Sequence, residues 1–223
     1  YNDYNLSTEH NLSISGGDDK VKYLISGRYF NQDGIYKKGN EDYTQYNMRE
    51  KGQIKLHDKL VLDNSTDFIR RNIHQPMVMY DRQNIARQIE HQGYQVTMEK
   101  NPDGTWTEAA VYLGWAGFAE GTSYQKNNKF DLRNTVGLTF TPIKDELILK
   151  ADFTYFYNHS DRKRVENMYD CYIGPEIKKT RNTFSSLEEY SYDKQYLSTN
   201  ATVNYIPKFK NKDHSLKLLA GWN

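Results

Sequence analysis

The chain has 223 residues, of which 37% are hydrophobic and 14% aromatic, and its 30 basic and 29 acidic residues give a net charge of +1. Such a chain lacks the basic surface that nucleic acids require, so no nucleic-acid partner is expected. The mean hydropathy of −0.92 and the short apolar run at 113–119 exclude a helical membrane protein but not a β-barrel, because only alternate residues of barrel strands face lipid.

The predicted strands are joined by connections that alternate strictly between short and long. Each short connection has the length and turn residues of a hairpin. This alternation is typical of outer-membrane barrels, whose short periplasmic turns lie on one rim and whose longer loops lie on the other. The short connections lie at 16–19, 57–59, 142–145 and about 207–213, and the long ones at about 32–42, 70–127 and 159–189.

The longest connection, 70–127, is expected to contain structure of its own, because a loop of this length rarely stays irregular in a compact domain. Its turn signal Asn101-Pro102-Asp103-Gly104 predicts a small hairpin between strands at 94–99 and 106–112. A short helix is predicted at 79–92.

The strongest strand signal comes from the two segments beside the third short turn. Every second residue from Phe130 to Phe140 and from Leu147 to Tyr157 is apolar, except Asn134, and the residues between them are mostly polar. This period of two indicates amphipathic strands. An arm of about eleven residues is about 37 Å long, and a tilt near 45° projects it onto about 26 Å, close to the apolar band of an outer-membrane barrel. The predicted fold class is therefore all-β, an antiparallel transmembrane β-barrel with long extracellular loops.

Two early segments carry a family resemblance. Residues 10–17 read HNLSISGG and residues 26–35 read SGRYFNQDGI, and supporting segments lie at 46–49, 56–62 and 214–221. Together they resemble the SusC/RagA-type TonB-dependent outer-membrane transporters. The resemblance implies a 22-stranded barrel, to which this sequence would contribute about eight strands. Residues 1–223 would then be part of one barrel domain, with 70–127 as a large extracellular loop inserted in it.

The resemblance also implies partners and a location. The expected partners are a SusD-like surface lipoprotein acting as a lid, outer-membrane lipid, an oligosaccharide or peptide substrate, and TonB through parts of the protein that this sequence does not contain. The expected location is the bacterial outer membrane. No plug domain is found in the sequence, and strand-like residues at its start and at 214–222 lead us to expect an internal section of a longer protein.

Aromatic residues of the long loop are the first candidates for contact with substrate or lid, because flat rings stack on sugars and on peptide side chains. The alternative is that they pack against one another in the core of the loop. The apolar run at 114–118 would need a cover, which a lid could provide. The candidates are Tyr80, Tyr94, Trp106, Tyr112, Trp115, Phe118 and Tyr124.

Alternation along the strands assigns further roles. Charged residues on the polar face are expected to face the lumen, namely Lys22, Arg28, Asp131, Arg133, Lys150, Asp152 and Lys194. Tyrosines and a tryptophan near predicted strand ends are expected at the lipid interface, namely Tyr29, Tyr155, Tyr157, Tyr205 and Trp222. One residue conflicts with this pattern, because the phase that turns Ile54 outward also turns Glu50 outward. Either Glu50 lies near an interface, or a bulge at Gly52 breaks the phase.

The leading functional hypothesis is the wall and loops of a nutrient importer for oligosaccharides or peptides. A soluble β-sandwich or adhesin-like carbohydrate-binding module is the alternative, and a hydrolase using Asp131 and Asp152 is a third. No enzyme motif occurs, so an enzyme is not expected. The single Cys171 cannot form an internal disulfide, the histidines lack ligand spacing, and neither a metal nor a cofactor is expected.

Overall fold

The computed structural model of the chain describes residues 2–77, 96–173, 178–181, 185–209 and 214–223. These ranges contain strands β1 (Ser7–Gly17), β2 (Val21–Asp33), β3 (Asp42–His57), β4 (Leu60–Pro76), β5 (Tyr124–Ile143), β6 (Leu147–Glu166), β7 (Tyr169–Tyr172), β8 (Lys178–Arg181), β9 (Ser186–Tyr205) and β10 (Leu218–Trp222), and helices α1 (Glu108–Tyr112) and α2 (Trp115–Glu120). No helix among the described residues is long and apolar enough to cross a membrane.

Eight of the strands form one antiparallel sheet in the order β1-β2-β3-β4-β5-β6-β9-β10. Strands that follow one another in this order are paired, so the sheet is a meander, and β1 and β10 are its open edges. The remaining two strands, β7 and β8, form a separate antiparallel hairpin between β6 and β9. The predicted all-β, antiparallel class with about eight barrel-type strands is confirmed.

The strands are longer than the sequence pattern predicts. Strands β5, β6 and β9 each have 20 residues, whereas the apolar alternation indicates about eleven. The extra length lies toward the long loops, where the apolar alternation has ended and pairing continues from Asn127↔Arg162 to Tyr124↔Val165. The connection predicted at 70–127 accordingly runs only from 77 to 123, and the one predicted at 159–189 begins after Glu166. Backbone pairing does not require an apolar face, so the hydrophobic pattern marks only part of each strand.

The pairing register places the apolar residues of neighbouring strands on one face. Val136 lies opposite Phe153, and Leu138 lies between Leu62 and Ala151. Directly opposed residues of antiparallel strands point to the same side of the sheet. The predicted phase of the hairpin at 130–157 is therefore confirmed. We call this side the apolar face and the other side the polar face.

The apolar face is uncovered over the described part of the chain. Leu138 is 41% exposed and Phe153 is 45% exposed, although both lie in the interior of long strands. No second sheet packs on this face within the described ranges. A β-sandwich buries such a face between two sheets, so this architecture argues against the soluble sandwich.

Aromatic rings flank the apolar face at its two ends. Near the long loops, Tyr29 and Tyr46 lie 5.3 Å apart between ring centroids, and Phe130 and Tyr157 lie 6.0 Å apart. Near the short turns, Tyr205 lies opposite both Leu147 and Leu218, and Trp222 lies opposite Ala201. Tyr155 differs from the prediction, because its partners Asn134 and Leu197 place it inside the face and not at an end.

Glu50 lies in the middle of the apolar face, between the neighbouring outward residues Met48 and Gly52 of β3. Its register with both adjacent strands is unbroken through Gly52, and the register shift of β3 falls between Lys55 and His57. The predicted bulge at Gly52 is therefore wrong, and so is a position near the end of the face. Glu50 is instead accommodated by a polar partner, since the Asn64 side chain donates to its carboxylate at 3.1 Å.

The short turns predicted at 16–19, 57–59 and 142–145 lie together at one end of the sheet. Residues 210–213 of the fourth predicted turn lie outside the described residues, and β10 begins at Leu218. In the first, the carboxylate of Asp18 accepts hydrogen bonds from the backbone N–H groups of Lys20 (2.7 Å) and Val21 (2.8 Å). Gly17 has φ +140°, and a Cβ built there would lie 2.1 Å from the Val21 carbonyl oxygen. This turn therefore requires glycine at 17.

Candidate functional site

The long connections gather at the opposite end of the sheet and pack into a small cluster of their own. Its buried residues are Val111, Ala116, Tyr169 and Cys171, and Trp106 packs against them. The backbone N–H of Tyr172 donates to the Trp106 carbonyl oxygen at 2.9 Å, which ties the β7–β8 hairpin to the loop before β5. We call this unit the loop cluster.

The prediction of a strand at 106–112 is wrong for most of this segment, because Glu108–Tyr112 is helix α1. The Thr107 side chain accepts a hydrogen bond from the Ala110 N–H at 3.1 Å, and Glu108 lies in the first turn. These are the local features of a helix N-terminus. The predicted turn is confirmed, since the Gly104 N–H donates to the Asn101 carbonyl oxygen at 2.9 Å. The helix predicted at 79–92 lies outside the described residues.

Most described aromatic residues of the loop contact other parts of the protein. The Trp106 indole N–H donates to Glu120 at 2.6 Å, and its ring receives Lys100 at 4.5 Å. Phe118 makes an edge contact with the Tyr36 ring, 5.4 Å between centroids.

The remaining candidate residues of the loop differ in how exposed they are. Trp115 has a buried indole nitrogen that finds no hydrogen-bond partner among the described residues, and the Tyr124 ring makes an edge contact with the His74 ring, 5.4 Å between centroids. Tyr112 is the most exposed of the described candidates, at 49%. Tyr80 and Tyr94 lie outside the described residues. Contact with a ligand or lid stays a prediction for all of them.

Four of the residues expected to face the lumen, Arg28, Arg133, Lys150 and Asp152, share the polar face. Arg28 pairs with Glu9 at 2.9 Å, and Asp152 accepts a hydrogen bond from Asn200 at 2.8 Å. Arg133 and Lys150 make no ion pair within the described ranges. Within the described residues, one of the four is therefore ion-paired, one is hydrogen-bonded to a neutral amide, and two remain open to other contacts.

A depression in the polar face brings Arg133 together with residues that sequence reasoning did not single out. Its volume is about 500 Å³, and it crosses β5, β6 and β9. Arg133 lies 5.3 Å from the centroid of the Phe156 ring, and Phe156 lies directly opposite Tyr196. The lining residues are Arg133, Thr135, Thr154, Phe156, Lys194, Tyr196 and Ser198. We call this site the polar-face depression.

The residue pattern of a single strand does not predict the depression, because its lining residues come from three strands. Alternation predicts that Lys194 faces the lumen, but it assigns no role to Phe156, an apolar residue on the polar side of β6. The sequence feature that could have indicated this site is the even spacing of Tyr190, Tyr192 and Tyr196, which places three rings on one face of β9. In the structure this is the polar face, and the three side chains are 53%, 45% and 55% exposed. Exposed rings on a polar wall indicate a contact surface.

Comparison with known proteins supports the fold. No family model matches the chain, and no curated protein matches it. A chain of the RagAB peptide importer in its closed-closed state superposes with a TM-score of 0.65 at 15% identity, over 96% of this chain and 24% of that one. A chain of the RagAB peptide transporter gives a TM-score of 0.66 at 14% identity, with the same coverage.

The fold is that of a β-barrel section. It corresponds to about a quarter of the length of the solved chains that it matches. Those chains belong to a peptide importer.

Proposed function

We propose that the chain forms part of the wall and the extracellular loops of a TonB-dependent outer-membrane nutrient importer. The observation that carries the proposal is the uncovered apolar face, backed by a polar face with its own ion pairs. A lipid bilayer covers such an apolar face, and a water-filled lumen suits such a polar one. The likeness to two structures of a peptide importer favours peptides over oligosaccharides as substrates.

The height of the apolar face supports a membrane position. On β5 the face runs from Phe130 to Phe140, and the distance between these two residues is about 34 Å at the usual rise per residue. A tilt of about 45° reduces this to about 24 Å, and bacterial outer-membrane barrels have an apolar band of about 25 Å. Rings at both ends of the face suit the two interfaces.

The loop cluster supports a lid partner. It lies at the end of the sheet where the long connections gather, and it exposes apolar groups such as Tyr112 and Met98, which is 60% exposed. A SusD-like lipoprotein that closes over these loops would cover them. TonB would act through parts of the protein outside this sequence.

The proposal is tested by placing one charge on each face of β5. Leu138→Arg puts a cation on the apolar face, two residues from the end of that face at Phe140, where it costs less than the roughly 2–4 kcal/mol of an arginine at the middle of a bilayer. Thr139→Arg, the matched control, puts the same side chain on the polar face. In the full-length protein, we expect Leu138→Arg to reduce the heat-modifiable, detergent-extracted form in the outer membrane, and Thr139→Arg to leave it near wild type. Equal amounts for both variants, or a protein soluble without detergent, would contradict the proposal.

A further inference from the structure

Two cationic side chains of the polar-face depression have no anionic partner in the described part of the chain. Arg133 and Lys194 make no ion pair within the described residues, whereas Asp131, the nearest acidic residue along β5, already accepts from Arg71 at 2.7 Å and from Asn158 at 2.6 Å. Asp67, which lies opposite Arg133 on β4, is paired with Arg49. Local carboxylates therefore leave both cations available.

The same depression presents aromatic surface beside these charges. Phe156 of β6 and Tyr196 of β9 are directly opposed, and Tyr196 is 55% exposed. Arg133 flanks this ring pair on β5, and Lys194 precedes Tyr196 by two residues on β9, so both lie on the same face of the sheet. Arg133 therefore lies beside Phe156 across the sheet, and Lys194 lies beside Tyr196 along β9.

Hydroxyl groups complete the lining. Thr135 and Thr154 are directly opposed and hydrogen-bonded to each other at 2.9 Å, and Ser198 lies opposite Thr154 on β9. These small side chains leave room above the sheet and offer hydrogen bonds to a polar backbone. The site therefore combines positive charge, aromatic surface and neutral hydrogen-bonding groups.

We propose that the polar-face depression binds the terminal carboxylate of a short peptide whose last side chain is aromatic or large and apolar. The forked guanidinium of Arg133 suits a carboxylate, and the ammonium of Lys194 adds a second charge-assisted bond. The side chain of the ligand stacks on Phe156 and Tyr196. An uncharged oligosaccharide would use the rings but leave both cations unpaired. This inference rests on the proposed import function, of which it specifies the substrate chemistry.

The approach to the depression supports the same ligand. Tyr192 and Tyr190 continue along the polar face of β9 toward the loop cluster, and Arg162 lies 5.4 Å over the Tyr190 ring. Arg162 is already paired with Glu188 at 3.1 Å. A peptide that enters from the loop end would meet aromatic rings first and the available cations afterwards.

The test uses the full-length protein in detergent and two probes, N-acetyl-Ala-Ala-Phe with a free carboxylate and the same peptide as its C-terminal amide. We expect the acid to bind about tenfold more tightly than the amide in the wild type. Arg133→Gln and Lys194→Gln should each weaken binding of the acid by about five- to tenfold and leave the amide unchanged. Tyr196→Leu should weaken both probes. Lys51→Gln is the matched control, because Lys51 is exposed on the polar face outside the depression.

Equal affinities for acid and amide would overturn the inference. It would also be overturned if Arg133→Gln and Lys194→Gln changed acid binding no more than Lys51→Gln does. If these two variants lower the melting temperature of the protein without changing the preference for the acid, the cations contact an acidic group in the rest of the protein, and the inference is again wrong. Outer-membrane fractionation of the same preparations reports separately on the proposed function, so the two failures are distinguishable.

Discussion

The side-chain amide of Asn64 on β4 donates a hydrogen bond of 3.1 Å to the carboxylate of Glu50 on β3, in the middle of the apolar face. The side chain of Asn134 on β5 extends this hydrogen-bond network, because it donates to the Asn64 side-chain oxygen at 3.0 Å and to the Thr66 hydroxyl at 2.9 Å. Four polar side chains thus satisfy one another across three strands. In an environment without water, each would otherwise lack partners at a considerable cost.

Replacing Asn64 with leucine should destabilise the protein, although leucine is better suited to an apolar face. The change removes a donor from Glu50 and an acceptor from Asn134, and leaving such groups unsatisfied costs about 1–3 kcal/mol. The midpoint of denaturant unfolding of the full-length protein in lipid or detergent measures the effect. The double variant Glu50→Leu with Asn64→Leu should recover part of the loss. A single variant as stable as wild type would mean that the network contributes nothing.

Alanine at position 17 should weaken the first hairpin. The φ of +140° is unfavourable for any residue with a Cβ, and the new methyl group would meet the Val21 carbonyl oxygen. Strain of this kind costs about 1–3 kcal/mol. Gly27→Ala is the control in the adjoining strand, because a Cβ there has no neighbour within 4 Å. We expect a lower yield of heat-modifiable barrel for Gly17→Ala alone, and equal yields for both variants would refute the strain argument.

Removing the cap of α1 should loosen the loop cluster and leave the sheet intact. Thr107→Ala deletes the side-chain acceptor for the Ala110 N–H and the hydroxyl donor to the Met98 carbonyl oxygen. Loss of an N-cap costs about 1 kcal/mol. Limited proteolysis of the full-length protein should show faster cleavage between 96 and 123. Thr97→Ala, outside the cap, is expected to behave as wild type, and identical cleavage of the two variants would count against the cap.

The thiol of Cys171 should resist labelling while the loop cluster is folded. It is only 1% exposed and packs beside Val111 and Ala116. A maleimide added to the native protein should leave Cys171 unmodified, and denaturation should expose it. Mass spectrometry of the peptide that contains Cys171 gives the modified fraction. Thr107→Ala should label faster than wild type, and rapid labelling of the native wild type would contradict the burial.

Local residue pattern predicted much of the sheet. The alternation from Phe130 to Phe140 was enough to assign the faces of β5, because the side-chain period of a strand is two whatever lies beside it. The short turns were also predicted, since Gly17 and its neighbours encode a tight reversal within a few residues. The pattern failed at α1, where the turn signal at 101–104 suggested a hairpin with a strand at 106–112, and the cap at Thr107 produced a helix.

The sequence by itself determined the antiparallel order, the two faces and the positions of the turns, because each depends on residues that are close along the chain. Only the tertiary structure decided where the strands end, since backbone pairing continues beyond the apolar pattern. It also decided how Glu50 is accommodated and which side chains share the polar-face depression. Both depend on the pairing register across three strands. The register of β3, β4 and β5 brings Glu50, Asn64 and Asn134 together on the apolar face. The register of β5, β6 and β9 brings Arg133, Phe156 and Tyr196 together on the polar face.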